Sequence, residues 1–150
     1  MNKTETFKTE LSLFHEQGVR LVAQHLLEEV PDYFFTIPAS STGKYHPAFA
    51  LGEGGLVRHT QVAVRIADEL LKLDMYKRLQ PMHDLILFAL LFHDCKKNGD
   101  GEKYTRADHP ILAANFIKEH LEDTDFRVAV CCMIESHMGQ WNTDFKTNKE

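Results

Sequence analysis

LILFALLFHD, residues 85–94, places eight apolar residues in succession ahead of His93 and Asp94. A helix starting near His83 that is apolar on every side belongs at the centre of a bundle, with polar groups only where it ends. The segments around it also read at helical period. Upstream, Leu56, Ala63, Ile66, Ala67 and Leu70 form one stripe, and His59 falls on it. Leu11, Phe14, Leu21, Val22, Leu26 and Val30 have the spacing of a first amphipathic helix over 9–30, closed by Pro31. Between these two, residues 33–55 mix aromatics with Pro, Ser and Gly (SSTGKYHP, LGEGG) and read as an ordered, irregular loop.

Downstream, the turn KKNGDGEK precedes a helix capped by Asp108 or His109 with Pro110 at its first position. Ile111, Leu112, Phe116, Ile117 and Leu121 supply its core face. A last helix starts near Thr124–Asp125, runs through VAVCCMI and stops at Gly139, leaving WNTDFKTNKE as a short irregular tail. No segment sustains strand alternation. The expectation is an all-α fold, a single-domain helical bundle of about five to six helices over 1–150 with its core helices in 56–139.

Composition narrows the function classes. At 150 residues, 43% hydrophobic and 26% charged, the chain is the size of one domain with enough apolar surface for a core. No apolar run approaches the roughly 18–20 residues of a bilayer span, and MNKTETFKTE lacks the pattern of a secretory leader, so a cytoplasmic protein without membrane attachment is expected. The three cysteines are an odd number, with Cys131 and Cys132 adjacent in a helical run. They read as reduced core residues, not a disulfide framework. A net charge of −5 without a basic stripe argues against duplex nucleic acid and leaves a small anionic substrate open. Nothing in the composition bears on oligomeric state.

Among the nine histidines, position matters more than number. His59, His93, His109 and His137, with Asp94, stand at or near helix boundaries, where the ends of a bundle converge. Imidazole nitrogen with carboxylate oxygen suits Mn, Fe, Co, Ni or Zn better than an all-oxygen Mg or Ca site. A lone histidine on an apolar face is more often a hydrogen-bonded core residue, and a His-Asp dipeptide arises by chance in many chains. The combination points to a cation, because an unpaired carboxylate at the end of an apolar helix is costly to bury. His15, His25, His83 and His120 have no motif around them and read as structural or exposed.

GGLVRHT (54–60), with 33 residues between His59 and the His93-Asp94 pair that CKK follows, resembles the HD-domain superfamily of metal-dependent phosphohydrolases, over roughly residues 40–141. The resemblance implies that His59, His93 and Asp94 bind metal. SSTGKYH before GEGGL, ADHPILAANFI and ESHMGQW are similar to HD proteins with additional histidine ligands, among them HD-type exoribonucleases and phage or prophage HD hydrolases. By that likeness His109 and His137 hold a second metal or complete the first, and His46 is a further candidate ligand. One or two divalent ions are implied, with Mg an alternative to the transition metals. Lys97 falls where HDxxK enzymes place a lysine near the substrate phosphate, and Ser41 and Lys44 offer a hydroxyl and a cation to the same group.

One departure stands out. The family supplies a further Asp from a downstream helix, whereas Asp144, the only late aspartate, lies outside such a context. Either the chain ends before that Asp or the site is completed differently. The implied activity is hydrolysis of a nucleotide or other small phosphoester by a metal-activated water, with Asp94 and Lys97 as catalytic groups. The alternatives are a phosphodiesterase or nuclease on short single-stranded nucleic acid, and a non-catalytic module that senses metal and nucleotide.

Overall fold

Seven α-helices and no strand make up the described residues, 2–44 and 46–139, of the computed structural model: α1 (Lys3–Thr6), α2 (Lys8–Ser12), α3 (Gln17–Glu29), α4 (Gly55–Leu71), α5 (His83–Phe92), α6 (His109–His120) and α7 (Asp125–Ser136). The expected all-α bundle is present, with more helices than expected because the N-terminal segment is divided. Apolar α5 is the axis: Leu87, Phe88, Leu91 and Phe92 are fully buried, and α4 and α7 pack against it. The Phe88 ring meets Phe92 at 4.8 Å and Phe126 of α7 at 5.2 Å between centroids. α6 lies against α7. VAVCCMI is helical within α7, as expected. No described helix is long and apolar enough to cross a membrane.

Several expectations are corrected. The helix expected over 9–30 is broken at Leu13–Glu16. There the backbone N–H groups of His15 and Glu16 donate to Asp84 Oδ1 and Oδ2, at 3.0 and 2.7 Å, instead of continuing a helical ladder. The buried face of α4 is also rotated from the expected stripe. Val57, Thr60, Val64, Asp68 and Leu71 point inward, while Ile66 and Leu70 are exposed. This rotation is sustained because Asp68 has partners, His83 Nε2 at 2.8 Å and Lys72 Nζ at 2.8 Å.

Asp108 holds the cap position of α6 but makes no side-chain cap, because its carboxylate is taken by Arg106. α7 ends at Ser136, three residues before Gly139, whose φ is +56°. Thr124 caps that helix, its hydroxyl accepting from Arg127 N. Of the cysteines, Cys95 and Cys131 are buried and Cys132 is exposed, so only two are core residues. The expected irregular tail with Asp144 lies outside the described residues.

Residues 33–55 form a loop with 3₁₀ turns at Asp32–Phe35 and Ala48–Ala50, fastened to the start of α4. Gly54 N donates to Thr36 O, Leu56 N to Ile37 O and Ala39 N to Ala50 O, at 2.9–3.0 Å. Gly54 takes a left-handed φ of +68°, and a Cβ on Gly55 would stand 2.1 Å from the Ala50 carbonyl oxygen. The guanidinium of Arg58 then donates to three loop carbonyls, Phe49 at 2.6 Å, Glu53 at 2.9 Å and Leu51 at 2.8 Å. GGLVRH is thus a fastening device whose next residue is His59.

With α5 at the centre, Phe88→Ala should lower the unfolding free energy by about 3–5 kcal/mol in urea denaturation. Met75→Ala, at a side chain 76% exposed, should change it by no more than about 0.5 kcal/mol. Equal effects would contradict the central placement of α5.

Candidate metal centre

Four helix termini or first turns deliver one imidazole each to Asp94. His59 comes from the first turns of α4, His93 follows the last residue of α5, His109 opens α6 and His137 follows α7. Asp94 is 1% exposed, and its two oxygens divide the histidines into pairs. His109 Nε2 and His137 Nε2 lie 3.0 and 3.5 Å from Oδ1, and His93 Nε2 and His59 Nε2 lie 3.3 and 3.8 Å from Oδ2. Within the pairs the nitrogens stand 3.2 Å apart (His109–His137) and 3.3 Å apart (His59–His93).

The backbone aims three of these rings. Nδ1 of His93 donates to Leu90 O at 2.6 Å, Nδ1 of His109 to Arg106 O at 2.6 Å and Nδ1 of His137 to Ile134 O at 2.7 Å. In each case the acceptor is the carbonyl three residues earlier. The Ile134 and Arg106 carbonyls also accept the main-chain N–H of His137 and His109, at 3.3 Å each, so ring and backbone share the acceptor that orients the ring. A carbonyl only accepts, so Nδ1 carries the proton and Nε2 of a neutral ring presents a lone pair.

Lone pairs facing one another and a carboxylate repel unless a cation lies among them. Asp94 Oδ1 is buried with no hydrogen-bond partner, and the atoms of His59, His93 and Asp94, and of Asp94, His109 and His137, lie within 4.8 Å of one another in each group. Two imidazole nitrogens on one tetrahedral ion at roughly 2.0–2.1 Å stand about 3.3 Å apart, close to the spacing in both pairs. These donors therefore fit a divalent metal, and their nitrogen-rich character favours a transition metal.

Charge sharpens the site. Burial alone would push the Asp94 carboxyl up, but His93 and Lys97 hold it well below the ordinary carboxylate range. Burial likewise opposes charge on His93, yet Asp94 and the Leu90 carbonyl outweigh it and raise that imidazole. Burial and the neighbouring His93 push His59 down to about 4.

Other expected residues fall around this cluster. His46 packs its ring on His59 at 4.8 Å between centroids, and its Nδ1 is buried without a partner. Lys97 is not a solvated turn lysine. It is 7% exposed and its Nζ donates to Asp94 Oδ2 at 2.8 Å. Ser41 and Lys44 are exposed in the turn shortly before His46. His83, expected to be structural or exposed, is structural: its two ring nitrogens lie 2.8 and 2.7 Å from Asp68 and Asp84, and His15 stacks on it at 3.8 Å. The signal was available, since His83-Asp84 opens α5 as His93-Asp94 closes it.

In metal-free protein the His59 ring should titrate near pH 4, because a lowered pKa keeps it neutral through mildly acidic solution. Its Hε1 shift in an NMR titration reads this directly. A midpoint at or above about 6.5, the unperturbed value, would contradict its buried placement beside His93.

A search of curated proteins and a search of solved structures found no match to this chain. The family model for the HD domain matches residues 56–149, which takes in His59, His93, Asp94, His109 and His137. With that match on a helical bundle whose histidines gather on one buried aspartate, the chain belongs to the HD-domain family of metal-dependent phosphohydrolases.

Proposed function

We propose that this chain hydrolyses a phosphoester of a nucleotide or another small phosphorylated compound. The observation that carries the reading is the gathering of four imidazoles on both oxygens of the buried Asp94. His59, His93 and Asp94 would hold one ion, and Asp94, His109 and His137 a second, drawn from Mn, Fe, Co, Ni or Zn. A divalent ion held there would supply Lewis acidity toward a phosphoryl oxygen and would lower the pKa of a water toward roughly 7.

The chain's own groups do the rest. Asp94, held ionised, joins the two halves and fixes their separation. The backbone-fixed rings of His93, His109 and His137 keep their lone pairs aimed without reorganising during reaction. Lys97 supplies a compact positive charge for the non-bridging phosphoryl oxygens. His46 is a further donor beside His59, and Ser41 and Lys44 offer a hydroxyl and a cation at the rim. The free cysteines among the described residues are in keeping with a reducing, cytoplasmic setting.

Monoester, diester and nucleotide model substrates, assayed with Mn²⁺ and again after chelation, test the reading. Hydrolysis should be lost on chelation and fall more than about a hundredfold in His93→Ala and Asp94→Ala. Turnover that persists in both variants rejects the mechanism. Preference for diesters or short single strands would reassign the substrate to a phosphodiesterase class, and metal uptake without turnover of any phosphoester would reassign the chain to a binding module.

A further inference from the structure

The two oxygens of Asp94 face unlike surroundings. At Oδ1, His109 Nε2 and His137 Nε2 approach to 3.0 and 3.5 Å, and both rings have spent their Nδ1 protons on the Arg106 and Ile134 carbonyls. Three lone-pair atoms converge there with no donor among them, and Oδ1 is the buried oxygen that lacks a hydrogen bond. At Oδ2 a cation is already in place: the Lys97 ammonium, buried and donating at 2.8 Å. The Lys97 backbone is held separately, its N–H on Asp94 O at 3.0 Å and its carbonyl accepting from Arg106 N at 2.9 Å. The side chain can therefore leave Oδ2 without loss of the turn that carries it.

We propose that Lys97 is an internal counter-ion on the Asp94 Oδ2 half of the centre, so that the first divalent ion enters the Asp94 Oδ1–His109–His137 half and a second enters the His59–His93 half only by displacing the lysine. The proposal rests on the metal-binding reading of the proposed function and deepens it. It reverses the order that the family resemblance alone suggests, in which His59, His93 and Asp94 form the primary site. The physical ground is that two cations on one carboxylate oxygen repel strongly in a weakly screened interior, whereas the bare Oδ1 half gains from any cation that reaches it. The displaced ammonium, on its four-carbon stem, becomes available to a phosphoryl oxygen only once the second ion is in.

Calorimetric titration of metal-free protein with Mn²⁺ alone, beside thermal unfolding in EDTA, tests this. The parent should show one tight event and a second at least about tenfold weaker, a gap of roughly 1.4 kcal/mol. Lys97→Met, which keeps the apolar stem and removes the charge, should bring the second affinity up by about tenfold or more, while Lys97→Arg should keep the parent's gap. His137→Ala should remove the tight event and His59→Ala should leave it. In EDTA, Lys97→Met should melt below the parent, because Asp94 then lacks its counter-ion, and should gain more from Mn²⁺.

A Lys97→Met titration identical to the parent's overturns the proposal, as does loss of the tight event in His59→Ala instead of His137→Ala. The histidine pair keeps the test decisive if Lys97→Met does not fold. Two equal events in the parent overturn this proposal alone, whereas no Mn²⁺ uptake by any of these proteins overturns the metal reading with it.

Discussion

A carboxylate with almost no water around it, set at the end of a helix that has no polar side, is the constraint on which this molecule turns. Taking an ionised aspartate out of water costs several kcal/mol unless opposite charge and donors replace the lost hydration. At Asp94 the Lys97 ammonium supplies it at Oδ2, and the imidazoles on four separate elements supply the nitrogens that would hold a cation between themselves and the carboxylate. Each of these reaches Asp94 only if α4, α5, α6 and α7 bring their ends together. The packing of the bundle and the chemistry of its centre are thus one requirement met twice, first by apolar side chains along α5 and then by polar ones beyond its last turn.

Three of the four histidines are aimed by the main chain: a ring that gives Nδ1–H to the carbonyl three residues back is oriented by that bond. The contrast at the other end of α5 is instructive. His83 and Asp84 repeat the His-Asp dipeptide, but both ring nitrogens of His83 already face carboxylates, those of Asp68 and Asp84. Asp84 meanwhile accepts from the backbone entering α3. One dipeptide fixes the fold and the other leaves donors unspent, and the difference lies in the partners other elements send to them.

That difference also explains what could be read in advance. The central helix was legible because eight apolar residues in a row leave no solvent face, and the convergence on Asp94 because an aspartate closing such a helix needs a cation. The buried face of α4 was not legible from periodicity. Thr60 and Asp68 turn inward, and of the partners that make Asp68 tolerable there Lys72 is an i,i+4 neighbour while His83 comes from another helix. The break before α3 depends on Asp84, some seventy residues away, and the withdrawal of Lys97 from solvent depends on the oxygen of Asp94 that it meets. Local pattern reports burial well when the buried group is apolar and poorly when it is polar and paired at a distance.

The attachment of the 33–55 loop has a consequence of its own. Arg58 holds it through three neutral carbonyl acceptors, and a guanidinium keeps its proton at any pH a protein survives. The very next residue is His59, an imidazole that burial beside His93 keeps neutral down to about pH 4. The wall bearing His46 is therefore riveted by chemistry blind to acidity, beside donors that respond to it. Acid that protonates an imidazole leaves the three Arg58 bonds to the loop carbonyls in place.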